Sequence, residues 1–397
     1  MNERDSATRA ETVGSLLRPK EVLHVVERAV QGAAQGDRGE PVDPEQAREV
    51  LDGAVREAIG IQEDAGLDVI TDGEMRRVSW AQAPRFLDCF ETRAGGTTRL
   101  NWRGGSDARK LDMSGAYPAV VRRVSEAGRL GDMAAEYAFL ARHAHARTKY
   151  SLAAPSYHRR FWSGEHSTVA YRSCEEFLTE VRDYEREVVD AVVALGCDYV
   201  QLDAPNYGSL CDPDTRAEME RHGRDVAAEL AFDAELDNSL FDGIENVTRA
   251  LHICRGNGPG GRWHSTGGYG AISGELFPRL DFDRLLLEYD SDRAGTFGPL
   301  ADVRPGTVVV LGLLTTKSGQ LETEEAVAER IAEAAETKPP PELALSTQCG
   351  FASVAAGNPV SPAEQRAKLG LVARLARRTW GGTGSPRTAV NPGEAAE

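Results

Sequence analysis

The chain has 397 residues, 41% hydrophobic and 27% charged, the balance of a folded enzyme-sized protein. Its net charge of −16 argues against nucleic acid or an anionic membrane surface as the main partner, because both demand a basic face. It has no apolar run of roughly 18 residues and no signal-peptide core in Met1–Arg9, so a cytoplasmic protein is expected, with its six cysteines (89, 174, 197, 211, 254 and 349) reduced.

In chain order, Glu45 to Ala65 reads as an amphipathic helix with Val50, Leu51, Val55, Ile59 and Ile61 on one side. Gly66 ends it, and the buried strand Leu67-Asp68-Val69-Ile70 runs into Thr71-Asp72-Gly73-Glu74. A second helix, Tyr171 to Leu195, stops at Gly196 and leads to Tyr199-Val200-Gln201-Leu202 and then Asp203. A helix over 238–249 is expected before Leu251-His252-Ile253-Cys254. Arg284-Leu285-Leu286-Leu287 precedes Glu288, and Thr307 to Leu314 precedes Thr315-Thr316-Lys317. A helix over 324–335 leads to Leu343-Ala344-Leu345-Ser346 and Cys349.

Helix, short apolar strand and a polar residue at the strand's C-terminal end recur at least six times. Such alternation means a parallel sheet, and chemistry at strand C-termini fits a TIM (β/α)8 barrel, with N-terminal and inserted helices over 20–45 and 100–145. An open doubly wound sheet is the alternative, but no strand is followed by GxGxxG or GxxxxGK[ST]. Gly256 to Gly268 reads as a mobile loop. Residues 1–380 are taken as one barrel domain, and 381–397, rich in Gly, Pro, Thr and Ala, as a disordered tail.

His252-x-Cys254 places two ligand types on one side of a strand, since side chains alternate with period two. With Glu288 and Cys349 they offer one nitrogen, two sulfurs and one oxygen, a set that zinc accepts. Two thiolates and a carboxylate around Zn²⁺ leave a formal charge of about −1. Taken singly, each cysteine reads equally well as small core filler.

Six segments in order resemble the catalytic barrel of cobalamin-independent methionine synthases and their stand-alone single-barrel relatives. They are Thr12-Val13-Gly14-Ser15-Leu16-Leu17-Arg18-Pro19, Ile70-Thr71-Asp72-Gly73-Glu74, Val200-Gln201-Leu202-Asp203, His252-Ile253-Cys254-Arg255-Gly256-Asn257, Leu287-Glu288-Tyr289-Asp290 and Gln348-Cys349-Gly350-Phe351. The resemblance implies Zn²⁺ held by His252, Cys254, Glu288 and Cys349, and a zinc-bound thiol, homocysteine, that takes a methyl group from a methyltetrahydrofolate-type donor. It implies Ser15, Glu74 and Asp203 as amino-acid contacts. Trp80 is a candidate to stack on a flat ring, and Arg18, Arg76 and Arg77 are candidates to hold an anionic tail. Asp203 and Lys317 are the catalytic candidates. Where the family keeps an Asp-x-His, this chain has Thr315 and Lys317, which leaves the alkyl donor open. An epoxyalkane:coenzyme M transferase-like enzyme and a non-catalytic zinc or thiol carrier are the alternatives. The partners expected are a small thiol and an alkyl donor, with a homo-oligomer left open.

Overall fold

The computed structural model describes residues 8–35, 43–80, 89–92, 102–105, 118–124 and 130–381. The expected tail, apart from Gly381, and much of the 100–145 insertion therefore lie outside the described residues.

Nine strand segments form one parallel sheet: β1 (Ala10–Glu11), β2 (Val69–Ile70), β3 (Arg147–Thr148), β4 (Tyr150–Ala153), β5 (Tyr199–Asp203), β6 (Thr248–Ile253), β7 (Arg284–Glu288), β8 (Val308–Leu314) and β9 (Leu343–Thr347). Their lateral order is β3-β2-β1-β9-β8-β7-β6-β5-β4. Only Lys149 separates β3 from β4, and its N–H continues the ladder to the Ile70 carbonyl at 3.0 Å. The two segments are halves of one strand, so the ring closes with eight strands, as a TIM barrel requires. A separate antiparallel ribbon pairs Phe90–Thr92 with Pro118–Val120.

The helices between strands form for local reasons. Helix α1 (Pro44–Ala65) starts with the Asp43 carboxylate accepting from the Glu45 N–H and ends on Gly66 at φ +81°, a left-handed position open to glycine. Helix α2 (Cys174–Ala194) is capped by Ser173. Helix α3 (Val226–Ser239) corrects the expected 238–249 helix: the chain turns through Gly243 (φ +73°) and Asn246 (φ +61°), and both break a helix before β6. Helix α4 (Glu324–Ala335) falls where expected, and α5 (Pro362–Trp380) opens on a Ser361/Glu364 capping box. None of the described helices is long and apolar enough to cross a membrane.

Strands β7, β8 and β9 are buried on both faces, which explains their apolar runs. Leu285, Leu286 and Leu287 are each about 1% exposed, and each such burial stabilises the fold by roughly 1.5–3 kcal/mol. The interior also holds a buried ionic cluster. Glu11 Oε2 accepts from Lys149 Nζ at 2.7 Å and from the Tyr199 hydroxyl at 2.9 Å, while Glu11 Oε1 accepts from Arg284 at 2.9 Å. Burial alone would push Glu11 up, but the charges of Lys149 and Arg284 and these hydrogen bonds hold it down at about 2. Lys149 shares that single carboxylate with Arg284, so burial keeps its pKa below the ordinary lysine value.

Candidate metal centre

Every sequence-predicted ligand lies at the C-terminal mouth of the barrel. His252 is the penultimate residue of β6 with Cys254 just beyond the strand, Glu288 closes β7, and Cys349 follows β9 by two residues. One ligand atom from each of the four lies within 4.8 Å of all the others. Cys254 Sγ and Cys349 Sγ are 3.9 Å apart, and His252 Nε2 is 4.0 Å from Glu288 Oε1. The sulfurs are far beyond the ~2.05 Å of a disulfide. Zinc bonds of about 2.0–2.3 Å in tetrahedral geometry set edges of roughly 3.3–3.8 Å, so the donor set needs little contraction to fit. His252 Nε2 and Glu288 Oε2 are buried without hydrogen-bond partners among the described residues, which is what an absent cation would leave behind.

Supporting residues aim these donors. His252 Nδ1 faces Asp203 Oδ1 at 2.9 Å, across the β5–β6 register that pairs the two residues. With Asp203 ionised, Nδ1 carries the proton and the Nε2 lone pair is left for the pocket. Gln201 donates to Asp203 Oδ1 at 2.8 Å, and Gln348 donates to Glu288 Oε1 at 2.8 Å. The Tyr269 hydroxyl donates to the Ile253 carbonyl (3.0 Å) and accepts from Glu288 N–H (2.9 Å), tying the ends of β6 and β7 together. Asn257 Nδ2 donates to the Gly350 carbonyl and to Ser353 Oγ, both at 2.8 Å, and so joins the two cysteine loops. Gly208 is required because any Cβ there would overlap the Cys254 carbonyl. Of these supports sequence reasoning singled out only Asp203, as an amino-acid contact and catalytic candidate rather than as the partner of His252. Gln348 and Asn257 lay inside quoted segments, and Tyr269 carried no signal beyond its Gly-Gly predecessor.

The metal-free charge state is set by crowding. Burial lowers the His252 pKa, but the Asp203 hydrogen bond and the charges of Cys349, Asp203 and Glu288 outweigh it and raise it to about 9. Cys349 and Cys254 share a long sulfur–sulfur hydrogen bond in which either can donate; it holds Cys349 at about 7 against burial, with help from His252 and Lys317, while the same contact and burial push Cys254 well up. Glu288 is opposed by burial yet lies below its ordinary value because of Lys317, Arg293 and His252. Replacing Asp203 with Asn removes the anion that fixes the His252 tautomer. Zinc affinity is expected to fall by about 10–100-fold, as read by competition with a chromophoric chelator. Equal affinity in the variant would show that the tautomer is set elsewhere.

The other predicted residues separate into two groups. Ser15 and Glu74 come to the mouth: the Ser15 carbonyl accepts from Phe351 N–H at 2.8 Å, which places Ser15 beside the Cys349 loop. Glu74 is buried at φ +56° with Oε2 unpartnered among the described residues. Arg18 instead acts as a brace, donating to the Ala352 carbonyl (2.6 Å) and the Glu74 carbonyl (2.9 Å). Arg76 pairs with Asp52 at 2.5 Å, and Arg77 donates to the Ser151 carbonyl at 2.9 Å. Trp80 is half-buried with its ring 4.7 Å from that of Tyr157. The Gly256–Gly268 stretch, expected as a mobile loop, is tied down by paired backbone hydrogen bonds between Arg103 and Trp263 (2.7 and 3.0 Å).

Burial raises Glu74 to about 7, with Arg77 opposing. A carboxyl raised on folding adds stability that is full below its unfolded value near ~4.5 and is lost as pH rises through the folded one. The wild type should therefore lose urea resistance relative to Glu74→Gln between about pH 4.5 and 7. Parallel curves for the two proteins would refute the protonated Glu74.

A closed parallel eight-stranded barrel with a His-Cys-Glu-Cys pocket at its C-terminal mouth defines a TIM-barrel protein with a candidate metal centre. No protein-family model matches the chain. It is 33% identical over 395 residues to the uncharacterised protein YxjH of Bacillus subtilis (strain 168), covering 95% of this chain and 96% of YxjH. It is 31% identical over 382 residues to the uncharacterised protein YxjG of the same organism, covering 94% of each. The chain belongs to the family of these two proteins. Among solved structures, a Listeria monocytogenes protein provisionally assigned as a vitamin-B12-independent methionine synthase matches at TM-score 0.65 and 24% identity, covering 94% of this chain and 98% of that one. A B12-independent methionine synthase from Shewanella sp. W3-18-1, in complex with selenomethionine, matches at 0.63 and 21%, covering 94% and 97%. These two likenesses establish the shared fold.

Proposed function

We propose that the chain is a zinc-dependent thiol alkyltransferase, in the first instance a homocysteine S-methyltransferase. The observation that carries this reading is the convergence of His252, Cys254, Glu288 and Cys349 within 4.8 Å, with His252 Nε2 and Glu288 Oε2 lacking hydrogen-bond partners among the described residues. The set has nitrogen, two sulfurs and an oxygen drawn from three barrel strands, unlike the compact knuckle of a structural site. Bound zinc would supply a positive centre that keeps a coordinated thiol deprotonated at neutral pH, where a free thiol with pKa near ~8.5 is mostly protonated.

The chain's own residues do the rest. Asp203 fixes the His252 tautomer. Glu74, balanced near neutrality, ionises as a substrate ammonium arrives, and Ser15 stands by the Cys349 loop to meet the same ligand. Trp80 and Tyr157 offer an aromatic wall. The neighbouring folds that include methionine synthases add weight to a methyl-group substrate. Lys317, whose buried Nζ has no hydrogen-bond partner among the described residues, keeps a second reading in view: a thiol bearing a sulfonate, as in coenzyme M chemistry. Zinc-edge spectroscopy separates the two. A new Zn–S bond on adding homocysteine is the expected result; no change with homocysteine and a change with coenzyme M would transfer the assignment to the second reading.

A further inference from the structure

Lys317 Nζ is buried and has no hydrogen-bond partner among the described residues. A buried ammonium in that state is costly unless negative charge lies opposite it. Glu288 on β7 and Cys349 beyond β9 supply that charge: Thr316, next to the lysine, donates to Gln348 Oε1 at 3.0 Å, and Gln348, which precedes Cys349, donates to Glu288 Oε1 at 2.8 Å, so the lysine sits beside the ligand cluster and both groups feel its field. The lysine is held in place by its own backbone. Its N–H donates to Thr315 Oγ1 at 3.2 Å, and its carbonyl packs so tightly on Gly261 (φ +77°) that a Cβ there would come within 2.7 Å. The neighbouring charges are already engaged. Arg293 lies 3.9 Å from Glu288 and 3.7 Å from Asp290. Asp203 is turned to His252, and Glu322 accepts from Thr315 N–H and pairs with Lys368.

We infer that Lys317 makes this pocket discriminate a thiolate from a thioether, favouring the sulfur while it is charged and releasing it once alkylated. The inference rests on the metal-and-thiol reading above. Glu288 and two thiolates around a dication leave about −1. A thiol that binds as thiolate gives its proton to water and takes the centre to about −2. When a sulfur lone pair forms the S–C bond and the bond from that carbon to its carrier breaks with its electron pair on the carrier, the sulfur becomes a neutral thioether. The extra charge that Lys317 faced is then gone. One charge pair across several ångströms of protein interior is worth about tenfold in affinity.

The test compares homocysteine with methionine, its thioether counterpart, by calorimetric titration of the zinc-loaded full chain at constant pH. In Lys317→Met, homocysteine should bind about tenfold more weakly while methionine is unchanged, and Lys317→Arg should restore most of the loss. Equal weakening of both ligands would mean a structural role and overturn the inference, as would no weakening of homocysteine. Zinc content and methionine affinity equal to wild type show that the variant is folded. If wild type binds homocysteine without forming a metal–sulfur bond, the metal-and-thiol reading falls first and takes the inference with it.

Discussion

Cys349→Ser is expected to take the protein from about one zinc per chain to a small fraction of that, and Cys254→Ser to do the same. A serine hydroxyl at neutral pH is not an anion, so each change removes one of the three negative charges that balance the metal. It also removes a soft donor, leaving hard oxygen in a site whose remaining sulfur selects zinc. Both variants should stay folded, because serine is no larger than cysteine and the thiols make only weak sulfur hydrogen bonds: Cys254 Sγ to Cys349 Sγ at 3.9 Å, Cys349 Sγ to Ser353 Oγ at 3.6 Å and Gly256 N–H to Cys254 Sγ at 3.3 Å. Cys211→Ala is the control. Its thiol is buried in the apolar core with its pKa pushed up to about 12, so it has no call on a metal, and this variant should retain zinc. Elemental analysis after dialysis reads all three. Full retention of zinc in both serine variants would remove the site assignment.

Glu11→Gln should destabilise the fold by about 3–5 kcal/mol, the cost of stranding buried charge. The amide keeps the carboxylate's shape but leaves Lys149 and Arg284 facing each other inside the barrel without their shared anion. The pH dependence identifies the cause. Glu11 is depressed to about 2 against an ordinary value near 4.5, so its contribution is present above about 4.5 and is lost as pH falls through about 2. Urea unfolding should show a wide gap between wild type and Glu11→Gln at pH 6–8 that narrows in strong acid. A gap that stays constant down to pH 2 would mean that packing, not charge, is what the substitution disturbs.

The sequence made the fold legible where strands are buried on both faces. Leu285-Leu286-Leu287 and the run to Leu314 carry a signal that needs no partner to read. It was silent at Arg147 to Ala153, because barrel interiors admit charge when it is neutralised from another strand. Lys149 makes sense only beside Glu11, 138 positions away. The 238–249 helix failed for a local reason: left-handed turns at Gly243 and Asn246 are cheap in sequence terms and decisive in space. The four metal-binding candidates were readable as residue types at strand ends, and the fold does bring them together. Their supports were not readable. Gln348, Asn257 and Tyr269 work through single hydrogen bonds to groups far along the chain, and hydrophobic periodicity carries no trace of such contacts. Arg18 shows a contact of the same hidden kind, since a cation in a motif suggests an anion, whereas two carbonyls accept from its terminal nitrogens.

The parallel pairing of β1 with β9 has a bearing on how the molecule is made. The Thr12–Thr347 contact at that seam joins residues 335 positions apart, so the barrel cannot close until the last strand has been made. Cys349 emerges just after the strand that completes the ring. A nascent chain therefore presents His252, Cys254 and Glu288 to the cell's metal pool before their fourth partner exists. At the proposed site, stable capture of a metal ion would then wait for the last strand, so that occupancy would report closure of the barrel.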